Sequence, residues 1–540
     1  MARVDSLPDG AKEVLKIGSA IEREFSYALI KHTTGLPEEE LLKFLSILKD
    51  AEILYERGIY PESTYVFKHA LTREVVYDSI LEKQKRKLHN NIGGTIEELY
   101  KDKIDENCAI LAEHFIQSKD YEKGAEYFKL AARKAIKSAS LNDAISIGEK
   151  RIACLESLQL AEEKEKELID ARTNLGLYYN QMIYNIKAYE AVAPIVELAL
   201  KHNYEKRLSQ IYTIIGTYYF WNKGDCSSGL QYFDDALEIA EKTNNLASLW
   251  IVHHWLGHAL SDNCEFERAL HHLEKALAIS EAAKLTWSIS IMKSCISNTI
   301  YNQQGNAQLG YLMSREGIKL AEESGDVHSK AEAYVNNGVA CYLKGFFDEA
   351  KLNLAKGAEY SNRLGLVQGS ISDFHLGLIE MEVDNYNRAH DYFIKSISAM
   401  KHRDFYPELQ KLVMMVSNFA KIKEHERDIE IESLYNCANE NKSKLYEGSM
   451  YFWISKILGN MNCQDLSQAV DWIKRALESH QKYNLIWHLG LDYVWYAELF
   501  KKNGDFSNSK DKLAIAIDFF KECGADGWVQ KYEKEFAALQ

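Results

Sequence analysis

No apolar run in this chain approaches the roughly 20 residues that a helix needs to cross a bilayer. Its first residues, MARVDSLPDG, lack the apolar core of a secretory signal, so a cytoplasmic protein is expected. Prolines number only five in 540 residues, which leaves little to interrupt helices. The nine cysteines are scattered and form no CxxC pair, a pattern that fits free thiols in a reducing compartment rather than disulfides or a zinc site. Positive charge is not in surplus: a formal net charge of -14 argues against broad binding of a phosphate backbone. The phosphate-cradling pattern GxxxxGK(S/T) is absent, and Gly93-Gly94-Thr95 has no lysine at the required place. The metalloprotease pattern HExxH is absent as well. No Ser/His/Asp or Cys/His grouping is set by spacing. Neither catalysis nor a cofactor is expected.

What the chain does have is a repeat. Gly257 is followed by Phe266, Ala269, Leu273 and Ala276, at offsets of nine, twelve, sixteen and nineteen. The same offsets run from Gly338 to Phe347, Ala350, Leu354 and Gly357, and from Gly377 to Tyr386, Ala389, Phe393 and Ser396. They recur from Ala497 to Phe506, Ser509, Leu513 and Ala516, and from Ala112 to Tyr121, Gly124, Phe128 and Ala131. Each unit reads as two helices around a polar turn, with a small residue where the helices approach and a small-large-small stripe on the second. One such hairpin cannot bury its own apolar face, so fixed internal spacing predicts a stacked solenoid. Looser units fit 176–199, with a short insertion, and 216–236, with one extra residue; another lies near 305–318. Residues 408–445 are degenerate, and 455–477 recover the pattern. Gly216, Gly257, Gly338 and Gly377 fall at multiples of about 40 residues, longer than the ~34 of an ordinary tetratricopeptide repeat, which this pattern resembles. The expected fold is all-α: nine or ten hairpins of about 40 residues in a right-handed superhelix over 105–540, preceded by a small winged-helix domain over 1–70 and connecting helices over 71–104.

The N-terminal expectation rests on helical patterning over 7–20, a short helix near 27–32 ended by Gly35, and a third helix opened by Pro37. Two β-prone runs follow, Ile53-Leu54-Tyr55 and Tyr65-Val66-Phe67, around Gly58 and Pro61. A winged helix raises the question of DNA. The third helix would be the reading helix, yet it opens on Glu38, Glu39 and Glu40, which repel phosphates and base-edge acceptors. Residues 1–100 hold 14 Lys and Arg against 17 Asp and Glu, and the run Lys83, Lys85, Arg86, Lys87 reads as a solvated helix face.

YVFKHALTREVVYDSIL, 65–81, with LPDGAKEVLKIGSAIEREFSY and GLPEEELLKFLSILKDAEILYERG before it, resembles the winged-helix region of bacterial STAND-type ATPases. It is especially similar to those in which a class III adenylate or guanylate cyclase domain and an AAA-like ATPase precede tetratricopeptide repeats. The resemblance covers about residues 6–150. It implies a lever rather than a DNA reader, and a regulatory C-terminal part whose ATPase or cyclase activity lies outside these residues. In related proteins a Met-His-Asp motif closes the winged helix, and its histidine touches bound ADP. Phe67-Lys68-His69 stands at that place here, with Ala70 replacing the aspartate, so the resemblance implies a nucleotide contact for His69 only within a longer protein. The plainer reading is that His69 caps or packs against the helix that follows.

Concave faces of such solenoids are lined by the first helix of each hairpin, where protein or peptide partners bind. Counting from the glycines places Thr213, Thr217, Phe220, Trp221, His254, His258, Ser261, Glu332, Val335 and Tyr342 there. His254 and His258 share a helix face at a spacing that can hold a metal. No third ligand is fixed by spacing, so a polar groove wall is expected and no metal. The reading is a non-enzymatic protein-binding sensor or scaffold, with no nucleic acid and no membrane. The alternative is a winged-helix transcriptional regulator with a repeat domain receiving the signal.

Overall fold

The computed structural model describes residues 2–138, 140–158, 161–403, 406–425, 429–461 and 466–539. They form two compact units, Met1–Leu175 and Gly176–Gln540. The architecture is all-α with repeats of the tetratricopeptide type, and one small sheet near the N-terminus.

In the first unit, helices Asp9–Ile21, Tyr27–Thr34 and Glu38–Asp50 surround strands β1 (Glu24–Ser26), β2 (Leu54–Arg57) and β3 (Thr64–Phe67). The sheet is antiparallel in the order β1-β3-β2. The β2–β3 hairpin matches the two β-prone runs. β1 has no sequence signal beyond Phe25, because three residues are too few to show alternation. Leu15, Ile30, Leu41, Leu45, Tyr65 and Phe67 fill the core between sheet and helices. Pro37 sits at the N-cap of its helix rather than inside the first turn. Helices Ala70–Asp78 and Glu82–Leu99 follow, then the hairpin Ile104–Ser118 with Tyr121–Lys137, in which Gly124 packs on Ile116.

In the second unit, helical hairpins stack from residue 176 onward. With so little proline, the helices are ended by backbone geometry instead. Left-handed residues stand at Gly224, Asn244, Cys264, Lys284, Gly305, Gly325, Gly345, Gly365 and Asp384, one about every 20 residues. Side-chain caps then restart the chain: Asp225 accepts from Ser228 N, Asn245 from Ser248 N, Asn306 from Leu309 N and Asp326 from Ser329 N. Within each hairpin the marked small residue permits close approach. A Cβ on Gly257 would stand 2.6 Å from Leu273 Cγ.

Two corrections to the sequence reading emerge. The 176 unit keeps its register, since Asn185, Ala188, Val192 and Ile195 stand at the usual offsets and are all buried. Its irregularity is a 3-10 turn, Ala193–Ile195, that holds Pro194 and splits the second helix between Val192 and Val196. The extra residue of the 216 unit is absorbed by a π-helical segment, Tyr218–Lys223, and Ser297–Asn302 is a second one. The wider π turn holds the extra residue in the last turn of that helix, before the left-handed Gly224.

The superhelix closes on itself within this unit. Trp528 Nε1 donates to Tyr342 O at 2.9 Å and Trp487 Nε1 to Leu343 O at 3.1 Å, across 186 and 144 residues of sequence. Arg403 Nη1 donates to Met182 O at 3.3 Å and Lys442 Nζ to Lys223 O at 3.1 Å. Gly345, at φ +78°, lies against Gly527 so closely that an added Cβ would meet its carbonyl carbon at 2.7 Å. Both positions exclude larger residues, which is how successive turns come into backbone contact.

Candidate ligand-binding cavity

Closure leaves a cavity of about 710 Å³ inside the second unit, a size that suits a drug-sized ligand or short peptide. First helices of the hairpins, that of Glu205–Thr217 excepted, supply most of its wall, at 177–183, 246–262, 287–299, 328–336, 368–371, 406–409 and 445–446. Asn298, Thr299 and Gln303 come from the second π segment or the residue after it.

The wall is aromatic and carries carboxyls and imidazoles, with no lysine or arginine among its residues. The His254 ring stacks on Trp250 at 5.2 Å and 5° between planes, and Trp255 meets it edge-on at 5.2 Å. Trp250 Nε1 donates to Ser280 Oγ at 2.9 Å, which holds the indole. His258 stands 4.7 Å from His254, ring to ring, and its Nδ1 is 3.5 Å from Thr299 Oγ1. Cys295 projects from helix Thr286–Ile296 toward both rings: one ligand atom of each of the three residues lies within 4.8 Å of the others.

Burial shifts each of these titratable groups toward its uncharged form. Burial pushes His258 down to about 4 and His254 well below the usual imidazole value, with help from the neighbouring His258. Burial raises Glu332, and it pushes Asp262 up to about 7 although Trp221 Nε1 donates to Asp262 Oδ2 at 2.6 Å. Gln368 donates to Glu332, and His328 Nε2 stands 4.0 Å from the same carboxyl. The Cys295 thiol is raised well above its ordinary value by burial and then by Glu332. A thiol held protonated is a poor nucleophile, so its proximity to two histidines does not amount to an activated Cys/His pair.

Of the residues expected in the groove, His254, His258, Ser261, Glu332 and Val335 line this cavity. Phe220 and Trp221 line a smaller one of about 410 Å³, which shares Asp262, Tyr406 and Tyr446. The other three serve packing. Thr213 Oγ1 donates to Ser209 O, Thr217 Oγ1 accepts from Asn180 and donates to Ile214 O, and Tyr342 packs on Trp487 and Trp528. His69 belongs to the first unit. Its carbonyl accepts from Thr72 N at 3.1 Å, and its side chain is exposed and makes no cap. Trp250, Asp262, Cys295, His328, Tyr406 and Tyr446 were missed. The spacing Trp250–His254 and His328–Glu332, four residues each, was a legible signal; Cys295 and Tyr406 reach the cavity only through folding.

The fold and cavity define a tetratricopeptide-type repeat protein with a ligand-sized cavity between its helical hairpins. No protein-family model and no curated protein matches the sequence. Among solved structures it is similar to a signal-transduction ATPase with numerous domains and a tetratricopeptide repeat sensor from Pyrococcus horikoshii. Identity is 15% and the TM-score 0.42, over 88% of this chain and 64% of that one, so this chain spans less than two thirds of that ATPase. A Rap protein complexed with competence and sporulation factor aligns at 12% identity and TM-score 0.40, over 77% of this chain and 99% of that one. The quorum sensor NprR from B. thuringiensis aligns at 14% identity and TM-score 0.40, over 66% and 99%. Among the described residues, no helix is long and apolar enough to cross a membrane. The eight described cysteines are free thiols; Cys463 lies outside the described residues.

Proposed function

We propose that this chain is a non-catalytic regulatory sensor whose repeat unit takes a peptide segment into the cavity. The observation behind this reading is the wall itself: tryptophans and tyrosines around two carboxyls, Asp262 and Glu332, with no lysine or arginine among the described residues that line it. Apolar surface provides the affinity, while buried carboxyls favour a ligand bearing Lys or Arg and disfavour an acidic one. Residues 1–70 serve as a winged-helix lever, 71–104 as connecting helices and 105–540 as the sensor; the sheet order β1-β3-β2 supports the first assignment. The sequence resemblance extends the reading to a STAND-type ATPase, coupled in some relatives to a nucleotide cyclase, that the sensor regulates in the same or another chain. His69 contacts nucleotide only in that larger assembly, and its exposed side chain leaves it available for one.

The test is retention of short peptide pools on immobilised protein, with one pool pairing aromatic residues with Lys or Arg and the other pairing them with Asp or Glu. Retention of the basic pool, abolished by Glu332→Gln combined with Trp255→Leu, is expected. Equal retention of both pools, or of neither, overturns the peptide reading. An immunoblot of source cells for native size tests the regulatory assignment: a species well above this chain's mass supports attachment to an ATPase.

A further inference from the structure

We propose that His254, His258 and Cys295 bind one zinc-class divalent cation, with a fourth coordination position open to the cavity. His254 and His258 lie four residues apart on helix Leu246–Asp262, and Cys295 comes from the next hairpin. Their ligand atoms lie within 4.8 Å of one another, and this is the one group of three such side chains found among the described residues. Tetrahedral zinc, with bonds of about 2.0–2.3 Å, sets its ligand atoms roughly 3.3–3.8 Å apart. The protein therefore needs only side-chain adjustments of about an ångström to close on an ion.

Two further observations point the same way. His254 Nδ1 is a buried atom with no hydrogen-bond partner, which is costly unless something supplies one. Both rings are restrained by neighbours: Trp250 stacks on His254, and Thr299 Oγ1 stands 3.5 Å from Nδ1 of His258. Two imidazoles and a thiolate select a borderline-soft ion over magnesium or calcium, which prefer oxygen. Binding exchanges the thiol proton for the metal: a sulfur–metal bond forms, the S–H bond breaks, and the proton leaves to solvent with no change of oxidation state. The site stands on this cluster whether or not the cavity takes a peptide.

Cobalt(II) is the probe. Added to the chelator-treated full chain, it should bind at one ion per chain and give a near-ultraviolet thiolate-to-cobalt band with visible bands of tetrahedral intensity, both erased by added zinc. Cys295→Ser, with Cys295→Ala as a second variant, should lose the thiolate band. His254→Gln and His258→Gln should each weaken binding by about tenfold or more. Zinc should raise the melting temperature of the parent chain and not of these variants. A folded parent that binds no cobalt, one that binds it without the thiolate band, or a band that survives in both Cys295 variants overturns the proposal. None of these readouts uses a peptide, so failure here and failure of the peptide reading are distinguishable.

Discussion

A carboxyl in the wall of an aromatic cavity resists ionisation, and Asp262 is such a group, pushed up to about 7 by burial. Its folded value lies above its unfolded one, so its contribution to stability is complete below the unfolded value and is lost as pH rises through about 7. Asp262→Asn keeps an oxygen to accept from Trp221 and removes the ionisation. It should raise the melting temperature relative to the parent near pH 8, with the difference shrinking as pH falls below about 7 and vanishing only below about pH 4. Each unit of displacement is worth about 1.4 kcal/mol, and partial solvent access at the cavity reduces the total, so a gain of about 1–2 kcal/mol is expected. Thermal melts at several pH values decide it; a pH-independent difference would mean that the charge of Asp262 is not what costs stability. Spacing alone could place Asp262 on a first helix but not against Trp221, 41 residues earlier in the chain. Its neighbours, and hence its titration, follow from tertiary contact.

At the scale of the helix, the π segments show how one extra residue is housed. Tyr218–Lys223 and Ser297–Asn302 each house an extra residue in the closing turn of a first helix. A one-residue deletion within 218–223 should therefore leave a folded, cooperative protein, because the segment can revert to α geometry. The same deletion in the middle of Leu246–Asp262 rotates everything beyond it by about 100° and should abolish cooperative folding. Calorimetry on the pair is the measurement, and equal damage from both deletions would contradict the account. The surplus residue of the 216 unit was countable in the sequence. Its housing was not, since a loop of one more residue fits the same count. Helix ends were half legible in the same way. Gly224, Gly305, Gly325, Gly345 and Gly365 announce left-handed ends, whereas Asn244, Cys264, Lys284 and Asp384 adopt that conformation without glycine. Each of them closes a local turn, its backbone N–H donating to the carbonyl three residues earlier.

Across the whole repeat unit, closure is the feature with most consequence. Trp528 is fully buried, stacked on Phe520 and Tyr532 and edge-on to Phe347, with its indole N–H on Tyr342 O. Trp528→Ala should cost about 3–5 kcal/mol. The loss should also speed hydrogen exchange in Val327–Lys344, whose Tyr342 carbonyl accepts from Trp528, more than in Tyr386–Lys401, a helix of another hairpin. A uniform change across both helices would argue against a local clasp. By itself the sequence determined the helical hairpins, their period and the small residues between their helices, because these are set by contacts within a few tens of residues. It also indicated which helix of each hairpin faces inward. The tertiary structure alone decided how tightly the superhelix winds, for small rotations between hairpins accumulate along the stack. That winding brings residues some 144–221 positions apart into contact, and it shapes the cavity in which Cys295 meets His254 and His258.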